Sequence, residues 1–353
     1  MLDWLLRSVS RRGLALGAPL VPWLGDTAAA RGLRRGLDPQ LATMLVLNER
    51  LRIPPIDTMT VERARRFAAK GLAAFDAVPP AMEVVIDTAV PAPSGDADGD
   101  DGWSDGGPPG AAIPVRIYRP HGAGRALLLW FHGGGGVIGS IESSDTWTRV
   151  LAHHTRCTVA SVEYRLAPEH VHPAAVDDAI AAWAWACAEH GADRIAVGGD
   201  SFGGFLAARV AAHAAAAGPR PLALQVLVYP LLDLSRKTSS SGENAEGYLL
   251  TADLMRWFTG HYAPDPESHR AASPAFFPHL AGQAPAIVVT AGFDPLVVEG
   301  RGYAERLAAA RVRTTHQHHV SLIHGFISMT GAIAAAHGAA EELFTAIRAE
   351  LGT

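Results

Sequence analysis

Residues 194–217, RIAVGGDSFGGFLAARVAAHAAAA, contain the pattern that decides the fold. The short apolar run at 194–198 is typical of a strand buried on both faces, and the alanine-rich run at 205–217 predicts a helix. Between them, Gly199-Asp200-Ser201-Phe202-Gly203 has the form G-x-S-x-G. At a sharp strand-to-helix turn, the flanking glycines leave room for a strained backbone that lifts the serine hydroxyl clear of the sheet. The segment therefore predicts that Ser201 is a nucleophile at the carboxyl end of a strand.

Apolar runs and helical patterns alternate on both sides of this segment. Seven more strands are predicted at 83–87, 113–118, 126–131, 157–164, 222–229, 286–291 and 313–320, and helices at 174–189, 297–310 and 327–351. Residues 38–78 also have helical spacing, whereas residues 232–265 interrupt the alternation with a partly helical insertion. Such alternation indicates an α/β fold, in which helices cover both faces of a mostly parallel sheet.

The composition narrows the class of protein. The chain has 353 residues, 48% of them apolar, and a mean hydropathy of +0.12, which excludes a largely disordered protein. Its 30 Lys and Arg against 35 Asp and Glu give a charge of −5, so we expect no nucleic-acid partner. Two cysteines cannot build a disulfide framework, and no apolar run reaches the ~18–20 residues of a membrane-spanning helix. We therefore expect a soluble, cytoplasmic protein that acts on small molecules.

Two segments fall outside the alternation. Residues 1–36 combine basic residues with apolar residues at helical spacing, a pattern shared by export signals and by amphipathic helices. Asp3 and the prolines Pro19 and Pro22 favour a helix that packs on the domain or makes peripheral contact with a membrane surface. Residues 91–110 are rich in Gly, Asp, Ser and Pro, and predict a flexible acidic insertion between two strands.

A glycine-rich loop follows the predicted strand at 126–131. Its sequence is His132-Gly133-Gly134-Gly135. Glycines there allow backbone N–H groups to turn toward a developing oxyanion, together with the N–H of Phe202, the residue after the nucleophile. The loop therefore predicts an oxyanion hole.

The same loop also matches a dinucleotide-binding pattern. Gly134, Gly136 and Gly139 have the spacing G-x-G-x-x-G, and Glu163 ends the next predicted strand, where an acidic residue would bind a ribose. That pattern requires a helix that begins directly at the glycines. We expect residues 138–141 to continue as loop, which favours the oxyanion interpretation.

A carboxylate and a histidine follow two later strands, in the order Ser, acid, His that serine hydrolases with a G-x-S-x-G turn require. Asp294 follows the strand at 286–291, and His324 follows the strand at 313–320. His324 would accept the proton of Ser201 as it attacks an ester, and Asp294 would hold the imidazole in the correct tautomer. The three residues predict a catalytic triad.

Several histidines lie near His324, and they raise the question of a metal site. His316 and His318 alternate along a predicted strand, whereas His319 points to the opposite face. No Asp, Glu or Cys accompanies them, so we expect neither a metal nor a cofactor.

Together the motifs resemble those of the hormone-sensitive-lipase-like family of α/β hydrolases, in its bacterial esterase branch. The resemblance covers about residues 37–350. The matching pieces are LDPQL at 37–41, PVRIYRP at 114–120, HGGG at 132–135, YRLAPE at 164–169, GDSFGG at 199–204, DPL at 294–296 and HGF at 324–326.

This resemblance implies a fold, an activity and further site residues. The fold is an α/β-hydrolase domain with an eight-stranded sheet at 79–353, preceded by an extension and cap helices at 1–78, with 232–265 as a second cap segment. The activity is that of a carboxylesterase on short- to medium-chain acyl esters, in a chain that can form a homodimer. The oxyanion donors are the amides of Gly134, Gly135 and Phe202, and residues 164–169 serve as scaffold.

The chain departs from the family pattern at two places in the site. Phe202 stands where the family has alanine, and is expected to crowd the acyl site; Gly136 stands where an aromatic residue is usual, and is expected to loosen the pocket wall. Two alternatives to a serine esterase remain open. They are a non-catalytic ligand-binding protein of the same fold and a nicotinamide-dependent oxidoreductase, although the second leaves Ser201, Asp294 and His324 without a role.

Overall fold

One eight-stranded sheet organises the part of the chain that the structure, a computed structural model, describes: residues 27–71, 75–91, 112–189, 191–217, 221–235 and 244–353. The strands are β1 (Val84–Val90), β2 (Ile113–Arg119), β3 (Ala126–Phe131), β4 (Thr158–Val162), β5 (Arg194–Asp200), β6 (Leu224–Val228), β7 (Ala286–Phe293) and β8 (Thr314–Ile323). The sheet confirms the eight predicted strands and the α/β-hydrolase fold class.

The order of the strands decides where the loops meet. Across the sheet it is β1-β2-β4-β3-β5-β6-β7-β8. The β1–β2 and β2–β4 pairs are antiparallel, and all other neighbouring pairs are parallel. The carboxyl ends of the parallel strands therefore lie at one edge, where the loops after β3, β5, β7 and β8 come together.

Helices cover the sheet on both faces. They are α1 (Ala28–Arg34), α2 (Pro39–Arg50), α3 (Val61–Gly71), α4 (Ile141–Thr155), α5 (Ala174–Glu189), α6 (Phe202–Ala217), α7 (Ala252–Tyr262), α8 (His269–Ala272), α9 (Val297–Ala309) and α10 (Ala334–Leu351), with 3₁₀ turns at Ile56–Thr58, Pro274–Phe276 and Phe326–Met329. The helices predicted at 174–189, 205–217 and 297–310 are confirmed, whereas the helix predicted at 327–351 begins only at Ala334, after the separate 3₁₀ turn Phe326–Met329.

The residues of β3 show how the sheet divides two cores. All six residues of the strand are buried. Leu127, Leu129 and Phe131 pack in the core that contains α5 and α6, whereas Leu128 and Trp130 pack in the core that contains α4 and α10. Because successive side chains of a strand point to opposite faces, a continuously apolar strand serves both cores.

Helix α4 corrects one expectation. Residues 138–141 were predicted to continue as loop, but α4 begins at Ile141, two residues after Gly139. Ser140 and Ser143 form a capping box, in which the Ser143 N–H donates to Ser140 Oγ (3.1 Å) and the Ser140 N–H donates to Ser143 Oγ (2.9 Å). Helix α6 likewise begins at Phe202, three residues earlier than predicted.

Four predicted segments reach beyond the described residues. The parts that lie outside them are residues 1–26 of the segment 1–36, 72–74 of the segment 38–78, 92–110 of the acidic insertion and 236–243 of the 232–265 insertion, and the division into cap and hydrolase domains stays a prediction. In the described chain, α7 of the 232–265 insertion contacts the 3₁₀ turn Ile56–Thr58, which lies in the helical segment predicted at 38–78. Across the described ranges, none of the helices combines the length and apolar character needed to cross a bilayer.

Candidate active site

Ser201 occupies a strained turn between β5 and α6. Its φ is +56°, in the left-handed region that residues with a side chain rarely adopt. The Ser201 N–H donates to the carbonyl of Val228 (2.9 Å), and the Ser201 carbonyl accepts from the N–H of Leu231 (3.0 Å). A Cβ on Gly203 would overlap the carbonyl of Phe131, so the turn fits only with glycine there. The predicted G-x-S-x-G turn is thus built and held by backbone contacts.

His324 and Asp294 reach Ser201 from the loops after β8 and β7. His324 Nε2 lies 2.9 Å from Ser201 Oγ, and His324 Nδ1 lies 2.8 Å from Asp294 Oδ2. Asp294 is buried, and its Oδ1 accepts the N–H of Leu296 (2.8 Å). The carboxylate can only accept, so Nδ1 carries the proton and Nε2 is left to accept the hydroxyl proton of Ser201. The structure brings together the three side chains that the sequence singled out. We call them the relay.

Tyr229 supports the imidazole of His324. The ring centroids lie 4.6 Å apart, and Tyr229 itself is buried with a φ of +34° directly after β6. Sequence patterns gave no sign of this residue, because its contact with His324 depends on β6 lying beside β7 and β5.

The glycine-rich loop presents backbone rather than side chains. We name residues 133–139 the oxyanion loop. Gly134, Gly135 and Gly136 have φ values of +124°, +64° and +74°. The Gly134 carbonyl accepts from the N–H groups of Val137 and Ile138, both at 3.0 Å. Within the described chain, the N–H groups of Gly134, Gly135 and Phe202 make no hydrogen bond to another backbone group, which leaves these predicted donors available.

A family model described as "alpha/beta hydrolase fold" matches residues 128–328, more than half of the chain and all the motifs just described from β3 to His324. The chain belongs to the hormone-sensitive-lipase-like family of α/β hydrolases.

This hydrolase resembles proteins named as esterases. It is 36% identical to carboxylic ester hydrolase LipN of Mycobacterium tuberculosis over 98% of this chain and 93% of LipN. It is 39% identical to the ethyl acetate hydrolase of Pseudomonas putida over 62% of this chain and 73% of that protein. The solved structure of ester-hydrolase EH1AB1, from the metagenome of Lake Arreo, superposes with a TM-score of 0.79 at 36% identity, covering 90% of this chain and 100% of that one. The protein is a carboxylic ester hydrolase.

Asp200 links the turn at Ser201 of this hydrolase to the oxyanion loop. Its Oδ1 accepts the N–H of Gly133 at 3.1 Å. Loss of contact with water raises the pKa of Asp200 to about 6, against the opposing effects of nearby His324 and of the Gly133 N–H. The contact joins residues far apart in sequence, and the only signal for it is the place of Asp200 just before Ser201.

His132 and Tyr164 brace the start of the oxyanion loop. The Tyr164 hydroxyl donates to the His132 carbonyl (2.7 Å), and the two rings stack at 4.4 Å. Burial lowers the pKa of His132 to about 4, so the ring is neutral at pH 7. These contacts fit the scaffold role that the family resemblance implies for residues 164–169.

The ring of Phe202 corrects the expectation that it crowds the acyl site. It is fully buried and packs against Phe205 (5.2 Å between centroids), Tyr262 (4.6 Å) and Tyr164 (5.9 Å). A Cβ on Gly136 would lie 2.8 Å from Phe202 Cζ. The two departures from the family pattern are therefore one feature, because the Phe202 ring takes up space next to Gly136.

The dinucleotide interpretation fails at the start of α4. The pyrophosphate in such a site binds to free N–H groups at the helix N-terminus. Here Ser140 caps that end, and Glu163 Oε2 accepts the Ile141 N–H at 2.6 Å. Glu163, which the alternative assigns to a ribose, thus serves as a helix cap.

Two of the three histidines of β8 contact the same neighbouring hydroxyl. Thr290 Oγ1 lies 2.9 Å from both His316 Nε2 and His318 Nδ1, while the ring of His319 packs against Phe326 on the other face. The opposite faces match the prediction. Among the described residues, no group of three His, Cys, Asp or Glu side chains is placed to hold a metal.

Proposed function

We propose that this carboxylic ester hydrolase is a serine carboxylesterase that uses Ser201, His324 and Asp294 to cleave short- to medium-chain acyl esters through an acyl-enzyme intermediate. The observation that carries the proposal is the chain of two hydrogen bonds, 2.9 and 2.8 Å, that joins Ser201 to His324 and His324 to Asp294. A nucleophile, a base and an orienting carboxylate within hydrogen-bond reach form the arrangement that activates a serine hydroxyl.

The first half-reaction forms the acyl-enzyme. Ser201 Oγ attacks the ester carbonyl while His324 Nε2 takes its proton, and buried Asp294 stabilises the imidazolium that results. The negative charge on the carbonyl oxygen is bound by the N–H groups of Gly134, Gly135 and Phe202, which sit at positive φ or at the first turn of α6. His324 then gives its proton to the leaving alcohol.

The second half-reaction reverses these roles. Water replaces the alcohol, His324 Nε2 accepts a proton from it, and the resulting hydroxide attacks the acyl carbonyl. Collapse of the second tetrahedral intermediate returns the proton to Ser201 Oγ and releases the carboxylic acid. The same donors bind the oxyanion in both steps, so one site geometry serves the whole cycle.

The name of one relative and the cover over the oxyanion loop support the proposed size of the acyl group. The Pseudomonas putida relative is named for ethyl acetate, an ester with a two-carbon acyl group. In this chain a Cβ on Gly135 would overlap the ring of Phe258, so α7 lies directly over the oxyanion loop. We propose that α7, with the N-terminal helices, forms a cap that limits the acyl chain.

A fluorophosphonate probe and a series of p-nitrophenyl esters test the function. The wild-type protein should be labelled at Ser201, and its kcat/KM should be highest for acyl chains of about two to eight carbons. Ser201→Ala should lose both labelling and turnover. A folded wild-type protein that binds esters without labelling would favour the non-catalytic ligand-binding protein, and NAD binding without labelling would favour the oxidoreductase.

A further inference from the structure

Arg65 of helix α3 contacts the oxyanion loop from the N-terminal segment, by which we mean residues 1–78. Its Nε donates to the carbonyl of Val137 at 2.8 Å, and its Nη2 donates to the carbonyl of Ala167 at 2.9 Å. Val137 lies within the oxyanion loop, and Ala167 lies in the scaffold segment beside it. One guanidinium thus connects three stretches of chain that are far apart in sequence.

The two residues that carry these carbonyls also donate a backbone N–H to glycines of the oxyanion loop. The Val137 N–H donates to the Gly134 carbonyl (3.0 Å), and the Ala167 N–H donates to the Gly136 carbonyl (2.8 Å). Arg65 therefore binds the carbonyls of two residues whose own N–H groups hold the carbonyls of Gly134 and Gly136. The Gly134 carbonyl shares a peptide unit with the Gly135 N–H, so a shift of Val137 would turn one of the predicted oxyanion donors.

Glu169 orients the guanidinium for this task. Its two carboxylate oxygens accept from Arg65 Nη1 (2.8 Å) and Nη2 (2.6 Å), a two-point contact that fixes the plane of the guanidinium. The Arg65 side chain is only 30% exposed, and its hydrogen bonds lower the pKa of Glu169. Lysine would replace it only in part, because an ammonium has no planar fork to reach two carbonyls and a carboxylate at once.

We propose that Arg65 is a positioning residue for ester hydrolysis, which holds the oxyanion loop in its donor-presenting conformation and is itself oriented by Glu169. The proposal rests on the function proposed above. It assigns to the N-terminal segment a part in the chemical step, besides any part in covering the site.

Steady-state kinetics of Arg65→Ala on p-nitrophenyl acetate test the proposal. Loss of one oxyanion donor typically lowers kcat ~10²–10³-fold, so a loop that is released but still folded should lose about 10- to 100-fold in kcat. KM should stay within about three-fold, because the Michaelis complex does not need the oxyanion donors. Arg65→Lys should recover part of the loss, and Glu169→Gln should lose less than Arg65→Ala.

Arg125→Ala is the matched control. Arg125 also makes a two-point contact with a carboxylate, that of Asp193, but on the exposed surface and away from the oxyanion loop. It should leave kcat and KM unchanged. Wild-type kcat in folded Arg65→Ala would overturn the proposal; if that variant does not fold, wild-type kcat in both Arg65→Lys and Glu169→Gln would overturn it.

Ser201→Ala separates this proposal from the one on which it rests. A wild-type protein that turns over p-nitrophenyl acetate, with an inactive Ser201→Ala, upholds the serine mechanism whatever the Arg65 variants do. Turnover that survives Ser201→Ala would overturn the serine mechanism, and the positioning role of Arg65 with it.

Discussion

The relay and the oxyanion loop lie at the same edge of the sheet, yet they are built from different parts of the chain. The relay consists of three side chains, and two hydrogen bonds of 2.9 and 2.8 Å hold them together. The oxyanion loop presents main-chain N–H groups, and its shape depends on three consecutive glycines with φ values of +124°, +64° and +74°. Its supports, Asp200, Tyr164 and Arg65, contact the backbone.

This difference predicts how each region responds to substitution. In the relay each atom proposed to act in catalysis belongs to the side chain of its residue. A substitution there should remove that atom and leave the fold intact. In the oxyanion loop the peptide N–H persists in any residue except proline, so a substitution acts by moving the donor or by removing packing behind it. Substitutions in the oxyanion loop should therefore lower kcat less than substitutions in the relay, and they should also lower the free energy of unfolding.

The relay should show the largest effects. We expect Ser201→Ala to lower kcat by roughly 10⁶-fold, and Asp294→Asn by about 10⁴-fold because the amide favours the wrong imidazole tautomer. Burst and steady-state kinetics on p-nitrophenyl acetate measure both. Asp178→Asn is the control, since Asp178 is a buried partner of Arg165 outside the site and should lower Tm without such a loss. Near-wild-type turnover of Asp294→Asn would remove Asp294 from the relay.

Gly135→Ala tests the loop through backbone strain and a clash. The residue has a φ of +64°, and a Cβ would overlap the ring of Phe258. We expect kcat to fall by about 10²–10³-fold, the range for a lost oxyanion donor. Gly122→Ala is the matched control, because Gly122 has a φ of +70° but no atom within 4 Å of the added Cβ. Equal kcat losses in the two variants would show that strain alone, and not the loop, sets the effect.

Two substitutions of Phe202 separate its N–H from its ring. Phe202→Ala should keep kcat on an acetyl ester within a few fold but lower the free energy of unfolding by about 3–5 kcal/mol, since the buried ring leaves a cavity. Phe202→Pro removes the same ring and also the N–H, at a helix position where proline is tolerated. Its kcat should lie about 10²-fold below that of Phe202→Ala, as measured on folded protein verified by circular dichroism. Equal kcat values would place the oxyanion elsewhere.

Asp200→Asn should have the smallest effect, a change in the free energy of unfolding that depends on pH. The pKa of Asp200 is about 6 in the folded protein against an ordinary 3.8, so the folded state binds this proton more tightly than the unfolded state. The wild-type free energy of unfolding should therefore fall as the pH rises from about 4 to 6. Asparagine does not titrate, so the free energy of unfolding of the variant, relative to that of the wild type, should rise by on the order of 1–3 kcal/mol across that pH window. Urea unfolding of both proteins at pH 4 and pH 8 measures this change. A difference in the free energy of unfolding between variant and wild type that is the same at both pH values would contradict the prediction.

Local patterns in the sequence are enough to predict much of the fold and of the candidate site of this protein. Strands β3 to β7 are short, mainly apolar runs whose burial follows from their own residues, and the order of strands and helices restricts the sheet to a mostly parallel arrangement. Ser201, Asp294 and His324 could be selected because each follows a predicted strand, and parallel strands end at one edge. The start of α4 was within reach as well, since Ser140 and Ser143 have the spacing of a capping box.

Only the tertiary structure decided how the oxyanion loop is supported. The Asp200 contact with Gly133, the Phe202 ring beside Gly136 and the Arg65 hydrogen bond to Val137 join residues separated by about 65 to 72 positions, and no local pattern specifies such pairs. Phe202 and Gly136 look like two separate departures from the family until the fold places the ring beside the glycine. The physical reason is that sequence periodicity determines which side of an element is buried, whereas the residue it meets depends on how whole elements pack.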